Sequence, residues 1–291
     1  MRDIVQLCRD SAWGAQGADT PTHDVEAVIE DGGVLCLPDL RFELTTAEQR
    51  LLDAGVADGS AKNVSLRGTS GEVRGATPDN IETLRTMMLR YRTQSTALIE
   101  RLFPHYRGQF TSGNTTYRPT AVEGRVTSWR KDDTRLHVDA FPSNPMHGKR
   151  LLRVFHNLNP RGDARRWRTG EPFEDFARRF LPAIPRPLPG AAALLHALHV
   201  TKSRRSAYDH YMLHLHDRVK ADAAYQRDAP QQPVDFAPGT TWVVYSDQVL
   251  HAAMGGQFLI EQTFYLEPRA LKNPASAPVA VLQRLLGRPL L

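Results

Sequence analysis

Alternation of apolar and polar side chains is the clearest pattern in the second half of the chain. The stretch from Val122 to Trp129 alternates, as a strand with one buried face does. Later stretches are almost continuously apolar or rich in aromatic and β-branched residues, which is typical of buried barrel strands. We therefore predict strands at 122–129, 151–156, 242–245 and 258–266.

Helical spacing prevails elsewhere. Apolar residues recur every three or four positions between 77 and 103, after the start signal Thr77-Pro78, and predict one long helix. Thr45 is placed as the N-cap of a shorter helix. The Gly- and Ser-rich stretch 56–76 is expected to be a loop.

A segment of about 171–236 separates the β stretches and favours helix. It contains two predicted helices, 173–180 and about 206–225, around a proline-rich loop. The C-terminal residues 278–291 fit a short amphipathic helix. Such a helix either packs on the domain or contacts a membrane surface.

These elements predict a β-rich α+β protein with a double-stranded β-helix, or jelly-roll, core, N-terminal helices and a helical insertion. We expect one domain over residues 1–291. It comprises a helical and β layer at about 1–116, the jelly-roll core at about 117–268 with the insertion at about 171–236, and a tail at 269–291.

Composition narrows the class of protein. The chain has 41% hydrophobic and 24% charged residues, which is ordinary for a globular protein. Its start is too polar for a signal peptide and no stretch is apolar enough to span a membrane, so we expect a cytoplasmic location. Cys8 and Cys36 are expected to be inert thiols. The net charge of +5 comes without a recognisable nucleic-acid-binding module.

Candidate chemistry centres on His137-Val138-Asp139 and on His251, 112 positions after Asp139. Alternate residues on an extended strand point the same way, so His137 and Asp139 can face one ion, and His251 on a later strand can complete the set. Two histidines and one carboxylate leave coordination positions open, which suits a non-haem Fe(II) oxygenase. Because His-x-Asp arises easily by chance, a turn histidine beside a loop aspartate is the alternative.

Another pair of histidines offers a rival metal site. His210 and His214 are four residues apart on a predicted helix and share one face, with further histidines nearby. No Glu completes an H-E-x-x-H pattern. Surface histidines are therefore the alternative to a zinc site.

Arginines accompany the candidate metal residues. Arg153 interrupts an apolar strand, and a buried guanidinium needs a partner, either a dicarboxylate cosubstrate or a structural ion pair. Arg130 and Arg135 precede His137 and are candidates for an anionic substrate site. A solvated basic surface is the alternative for each of them.

Two segments resemble the Kdo hydroxylases, where Kdo is 3-deoxy-D-manno-oct-2-ulosonic acid. They are LHVDAFPSNPMHGKRLLRVFHNLNP and PGTTWVVYSDQVLHAAMGGQFLIEQTFYL, and the resemblance extends from about Val34 to Leu271. It implies an Fe(II)- and 2-oxoglutarate-dependent dioxygenase that uses O2 to hydroxylate C3 of a Kdo residue of Kdo-lipid A. The product is the sugar Ko of lipopolysaccharide.

The resemblance also implies roles for individual residues. His137, Asp139 and His251 would bind iron, and Arg153 would bind the distal carboxylate of 2-oxoglutarate. Gln262 and Thr127, expected on strands that face the metal, are further candidates for the cosubstrate site. Kdo-lipid A would be the partner, with peripheral contact at the inner face of the inner membrane and no obligate protein partner.

Two other functions compete with this one. An Fe(II)/2-oxoglutarate hydroxylase acting on a protein side chain or a small acid would have the same barrel and metal residues. A non-catalytic barrel that binds an anionic sugar would not need the metal residues.

Overall fold

Two β-sheets form the centre of the protein, and helices cover the outer face of the larger sheet. The computed structural model describes residues 4–14, 24–125 and 127–291. The strands in these ranges are β1 (Val5–Leu7), β2 (Val34–Leu37), β3 (Val64–Leu66), β4 (Val73–Arg74), β5 (Phe110–Arg118), β6 (Arg150–Asn157), β7 (Arg165–Thr169), β8 (Gln232–Phe236), β9 (Thr241–Tyr245), β10 (His251–Gly255) and β11 (Leu259–Leu266).

The α-helices in the same ranges lie before, between and after the strands. They are α1 (Val25–Glu30), α2 (Thr46–Gln49), α3 (Ile81–Leu102), α4 (Phe173–Phe180), α5 (Ala191–Ala197), α6 (Ala207–Ala221), α7 (Ala223–Asp228) and α8 (Pro278–Leu286). Among the described residues, no helix is both long and apolar enough to cross a bilayer.

The larger sheet has the strand order β1-β2-β9-β6-β11-β5-β3-β4, and the smaller has the order β10-β7-β8. The β1–β2 pair is parallel, and the other pairs are antiparallel. An aromatic core fills the space between the sheets, where Trp242 stacks on Phe236 at 3.9 Å and on Phe155 at 5.2 Å, measured between ring centroids. This arrangement confirms the predicted β-rich α+β jelly-roll fold.

The register between β6 and β11 decides which side chains face the barrel interior. Arg153 lies opposite Thr263, and Val154 lies opposite Gln262. Directly opposed residues share a face of the sheet. Tyr91 of α3 donates a hydrogen bond to the carbonyl of Val154, 3.2 Å away, from the helix-covered side. The face that carries Arg153 therefore points toward the smaller sheet.

Several predicted elements are confirmed. The long helix forms as α3, and Thr45 caps α2 with a capping box to Glu48. The helical insertion forms as α4 to α7, although its second predicted helix divides at Asp222, whose side chain caps α7. The C-terminal helix α8 buries Val279, Val281 and Leu282 against the domain.

The strand predicted at 122–129 is wrong. The described part of this stretch is a turn followed by a 3₁₀ helix at Trp129–Lys131, and Val126 lies outside the described residues. Gly124 has a φ of +75°, and Arg125 donates hydrogen bonds to the carbonyls of Thr120 and Ala121, so the backbone turns instead of extending. The predicted loop 56–76 is also corrected, because it contains β3 and β4.

Candidate active site

The three predicted metal residues come together at one end of the barrel. His251 begins β10, and His137 forms an isolated antiparallel bridge with it instead of lying in a regular strand. Each backbone N–H of this pair donates to the other's carbonyl at 2.9 Å. The N–H of Asp139 donates to the carbonyl of Ser246 at 2.8 Å, which fixes the third residue.

Hydrogen bonds leave the same ring nitrogen of each histidine free. The Nδ1 of His137 lies 2.7 Å from the carbonyl of Arg135, and the Nδ1 of His251 lies 2.8 Å from the carbonyl of Val249. A carbonyl only accepts, so each Nδ1 carries the proton and each Nε2 is available as a ligand. Trp167 stacks on the His251 ring at 4.9 Å and keeps its plane fixed.

The donor atoms fit one metal ion. The ligand atoms of His137, Asp139 and His251 lie within 4.8 Å of one another, and no other described group of three His, Cys, Asp or Glu residues does so. This donor set matches the facial triad of non-haem iron oxygenases. The rival site is not supported: His210 and His214 adjoin on α6, but the Nε2 of His210 bonds to the carbonyl of Pro185.

Protonation states favour metal binding as well. Burial lowers the pKa of His137 and of His251, so both rings are neutral near pH 7. Burial alone would raise the pKa of Asp139, but the Arg153 guanidinium holds it well below its usual range. Two neutral imidazoles and one carboxylate are the forms that bind a divalent cation.

Arg153, on β6, lies in contact with the triad through Asp139. Its side chain is 11% exposed and forms ion pairs of 3.3 Å with Asp139 and with Glu261. The structural ion pair considered from the sequence is therefore present. Arg153 also borders the metal residues, as a cosubstrate role requires.

The sequence reasoning assigned neither of two further arginines of the barrel interior to the cosubstrate. Arg118 binds both carboxylate oxygens of Glu261 at 3.0–3.3 Å. Arg165 is 4% exposed and donates to the carbonyl of Gly256 at 3.1 Å, while its Nε has no hydrogen-bond partner. Among the described residues, no carboxylate lies in ion-pair contact with Arg165. Recognition of Arg165–Thr169 as a strand would have revealed it, since Arg165, Trp167 and Thr169 alternate on the buried face.

The structure does not support the other two predicted cosubstrate residues. Gln262 faces α3, not the barrel interior, and its side chain bonds to Thr115 and to the carbonyls of Gly113 and Thr263. Thr127 lies in an exposed loop, because the strand expected to carry it is absent. Both expectations depended on which face of a strand carries the side chain, and a shift of one residue in strand register moves a side chain to the opposite face.

The two candidate substrate arginines lie nearer the surface. Arg130 stacks on Trp129 and pairs with Asp217 of α6 at 3.1 Å, with 61% of its side chain exposed. Arg135 pairs with Asp132 at 3.2 Å and donates to the carbonyl of Lys220. Both therefore connect the segment before His137 to the helical insertion.

The two cysteines are buried and free, as expected.

Comparisons with known proteins agree with this geometry. Residues 12–289 match the family model of 3-deoxy-D-manno-oct-2-ulosonic acid (Kdo) hydroxylases. A crystal structure of the Kdo hydroxylase KdoO, a non-heme Fe(II) α-ketoglutarate-dependent dioxygenase, in complex with cobalt(II) is 43% identical, with a TM-score of 0.94 over 99% of this chain and 97% of that one.

A second structure, of KdoO with α-ketoglutarate and Fe(III), is 42% identical, with a TM-score of 0.93 over the same shares of the two chains. No curated protein matches this chain.

Proposed function

Since the chain belongs to the Kdo hydroxylase family, we propose that it is an Fe(II)- and 2-oxoglutarate-dependent dioxygenase that hydroxylates a Kdo residue. The observation that carries this proposal is the facial triad of His137, Asp139 and His251 with both Nε2 atoms free. In the overall reaction, 2-oxoglutarate, O2 and a C–H group give succinate, CO2 and a C–OH group.

The protein's own share of the chemistry is binding and orientation. His137, Asp139 and His251 would hold the iron, which supplies the O2-dependent oxidation when it is bound. The carbonyls of Arg135 and Val249 keep the two imidazoles in the ligand tautomer. The aromatic core beneath them, with Trp167 against His251, excludes water from that side of the site.

The charge of the barrel interior supports a dicarboxylate cosubstrate. Glu261 is shared by Arg118 and Arg153, and Arg165 has no carboxylate of its own among the described residues. We propose that Arg153 and Arg165 bind the carboxylate of 2-oxoglutarate that points into the barrel. The positive charge of Arg118 adds to the electrostatic attraction for that carboxylate. A desolvated guanidinium gains most from such a charge-assisted pair.

The substrate we propose is Kdo-lipid A, hydroxylated at C3 of Kdo to Ko during lipopolysaccharide biosynthesis. Kdo carries a carboxylate and lipid A carries phosphates, so the +5 net charge of the chain is complementary. Arg130 and Arg135 are the proposed contacts, because they lie on the segment that leads into His137. We place the enzyme in the cytoplasm, at the inner face of the inner membrane.

Mass spectrometry of the substrate tests this function. Purified protein with Fe(II), 2-oxoglutarate and O2 is expected to add one oxygen to the Kdo unit of Kdo-lipid A, with one succinate formed per oxygen added. The matched control is Asp139→Ala, which should do neither. Brisk hydroxylation of a protein or free small acid, with none of Kdo, would contradict the assigned substrate but not the metal centre.

A further inference from the structure

A patch of exposed apolar side chains surrounds α5. Leu188, Leu194, Leu198 and Val200 are 75%, 61%, 64% and 50% exposed, and we call these four residues the α5 patch. No residue of α5 is buried. All four lie within α5 or within three residues of its ends, and large apolar residues exposed close together, rather than singly, mark an interaction surface.

Basic residues flank the α5 patch, and acidic residues are absent from it. Arg186 precedes α5, and Lys202, Arg204 and Arg205 follow it, whereas the sequence has no Asp or Glu between Asp175 and Asp209. In the described part of the chain none of these four cations forms an ion pair, and Arg186, Lys202 and Arg204 are exposed. Apolar side chains bordered by cations that have no acidic partner match the interface of an anionic bilayer.

Hydrogen bonds tie the segment after the patch to the loop that follows the metal residue Asp139. The N–H of Lys202 donates to the carbonyl of Ser143 at 3.0 Å, and Ser203 Oγ lies 3.0 Å from Nε2 of His147. Ser143 is four residues after the metal residue Asp139. The α5 patch is therefore anchored to the loop that leaves the triad.

We propose that the α5 patch docks on the surface of an anionic lipid bilayer and so brings the metal site to a sugar held in the headgroup layer. This inference rests on the proposed function, because it names the surface that would meet a lipid-linked substrate. A second copy of the chain is a poorer occupant, since a two-fold contact through this patch would bring its own cations together.

Vesicle sedimentation tests the docking without any reaction. The purified full-length protein should bind phosphatidylglycerol vesicles, bind phosphatidylcholine vesicles weakly, and be released by salt. Leu194→Ser combined with Leu198→Ser should weaken binding about tenfold or more, because two apolar side chains no longer enter the interface. The matched control replaces two exposed leucines outside the patch, Leu7→Ser with Leu89→Ser, and should bind as the unaltered protein does.

Turnover separates this inference from the proposed function. The patch variant should lose hydroxylation of Kdo-lipid A in vesicles but keep it on a deacylated, water-soluble Kdo glycan. Equal vesicle binding by the patch variant and the control would overturn the docking surface, as would a dimer that the two serines dissociate. Vesicle binding with no hydroxylation of either substrate would instead refute the proposed function alone.

Discussion

Arg165 is a positive charge inside the barrel with no carboxylate in contact among the described residues. The carboxylate of 2-oxoglutarate that points into the barrel would satisfy it, and losing such a desolvated pair costs about 2–5 kcal/mol. We expect Arg165→Leu to raise the KM for 2-oxoglutarate more than tenfold and to leave Fe(II) affinity nearly unchanged. Steady-state kinetics and iron titration measure the two quantities.

The adjacent residue provides the control for this experiment. Arg166 is 54% exposed and pairs with Glu123 on the outside of the barrel. Arg166→Leu should therefore leave the KM for 2-oxoglutarate unchanged. If both variants behaved alike, Arg165 would be a structural residue only.

His156 makes stability depend on pH. Burial, together with the nearby Arg41, lowers its pKa to about 3, and its Nε2 accepts from the N–H of Phe42. Unfolded histidine has a pKa of about 6.5, so between about pH 6.5 and 3 only the unfolded chain is protonated at this site. The stability that neutral His156 provides is therefore present above about pH 6.5 and is lost as the pH falls below it.

Replacing His156 should remove the one proton that this residue takes up on unfolding below about pH 6.5, and so should weaken the pH dependence of stability. In chelator-treated protein, His156→Gln should reduce the slope of unfolding free energy against pH, between pH 4 and 6, by about 1.4 kcal/mol per pH unit. Urea unfolding at several pH values gives the slope. The exposed His199, changed to Gln, is the control. An unchanged slope in the His156 variant would show that the His156 ring is protonated in the folded protein as well.

Single residues show how far the candidate site could be predicted from the sequence. His137, Asp139 and His251 were predictable because His-x-Asp, the apolar strands and the later histidine follow one order along the chain. The orientation of Gln262 was not predictable, because strand register is set by tertiary pairing to β5 and β6. The buried Arg165 is one of four arginines within eight residues, and their pattern fits an anionic substrate site and a solvated surface equally well.

Among the elements, α6 connects the helical insertion to the metal site. The Asp209 carboxylate completes the capping box with Ser206 and also accepts the N–H groups of Met146 and His147 at 2.6 and 3.1 Å. On the same helix, the His216 ring lies 5.5 Å from the His137 ring. The start of α6 therefore fixes both a helix and the loop that follows Asp139.

Two substitutions separate these roles of the start of α6. Ser206→Ala should lower the free energy of unfolding by about 1 kcal/mol, the usual value of an N-cap. Asp209→Ala should lower it by about 3 kcal/mol, because two further hydrogen bonds to a charged group are lost. Only Asp209→Ala should also speed hydrogen exchange at Met146 and His147. Equal exchange in both variants would show that the loop is held by other contacts.

Elements were predicted well where one pattern continues over many residues. The long helix α3 and the apolar strand β11 both repeat their period several times. The stretch 122–129 failed because a short alternating pattern also occurs in turns. There the side chain of Arg125, bonded to nearby carbonyls, outweighs the pattern.

In the whole molecule, strands from the N-terminal layer and from the core share one sheet. β2 pairs with β9, and β5 pairs with β11, so the predicted boundary near residue 116 lies inside a continuous sheet. We propose on this basis that the chain forms a single domain.

A truncated protein tests this proposal. Residues 117–268 alone would leave the edges of β9 and β11 unpaired and the α3-facing side of the sheet uncovered. We expect the fragment to be aggregated or unfolded by circular dichroism and by amide NMR dispersion. The full chain is the control, and a folded monomeric fragment would show that the N-terminal layer is dispensable.

The reciprocal backbone bonds between His137 and His251 have a consequence for metal selection. These bonds, and the one from Asp139 to Ser246, place the three ligands by peptide geometry, before any ion arrives. A preformed site of this kind binds divalent ions in the order of their intrinsic affinities, and cobalt, nickel and copper all bind more tightly than iron in that order. Which ion occupies the site then depends on the concentrations of available metal ions in the cell. An excess of a competing metal would inactivate the enzyme without unfolding it.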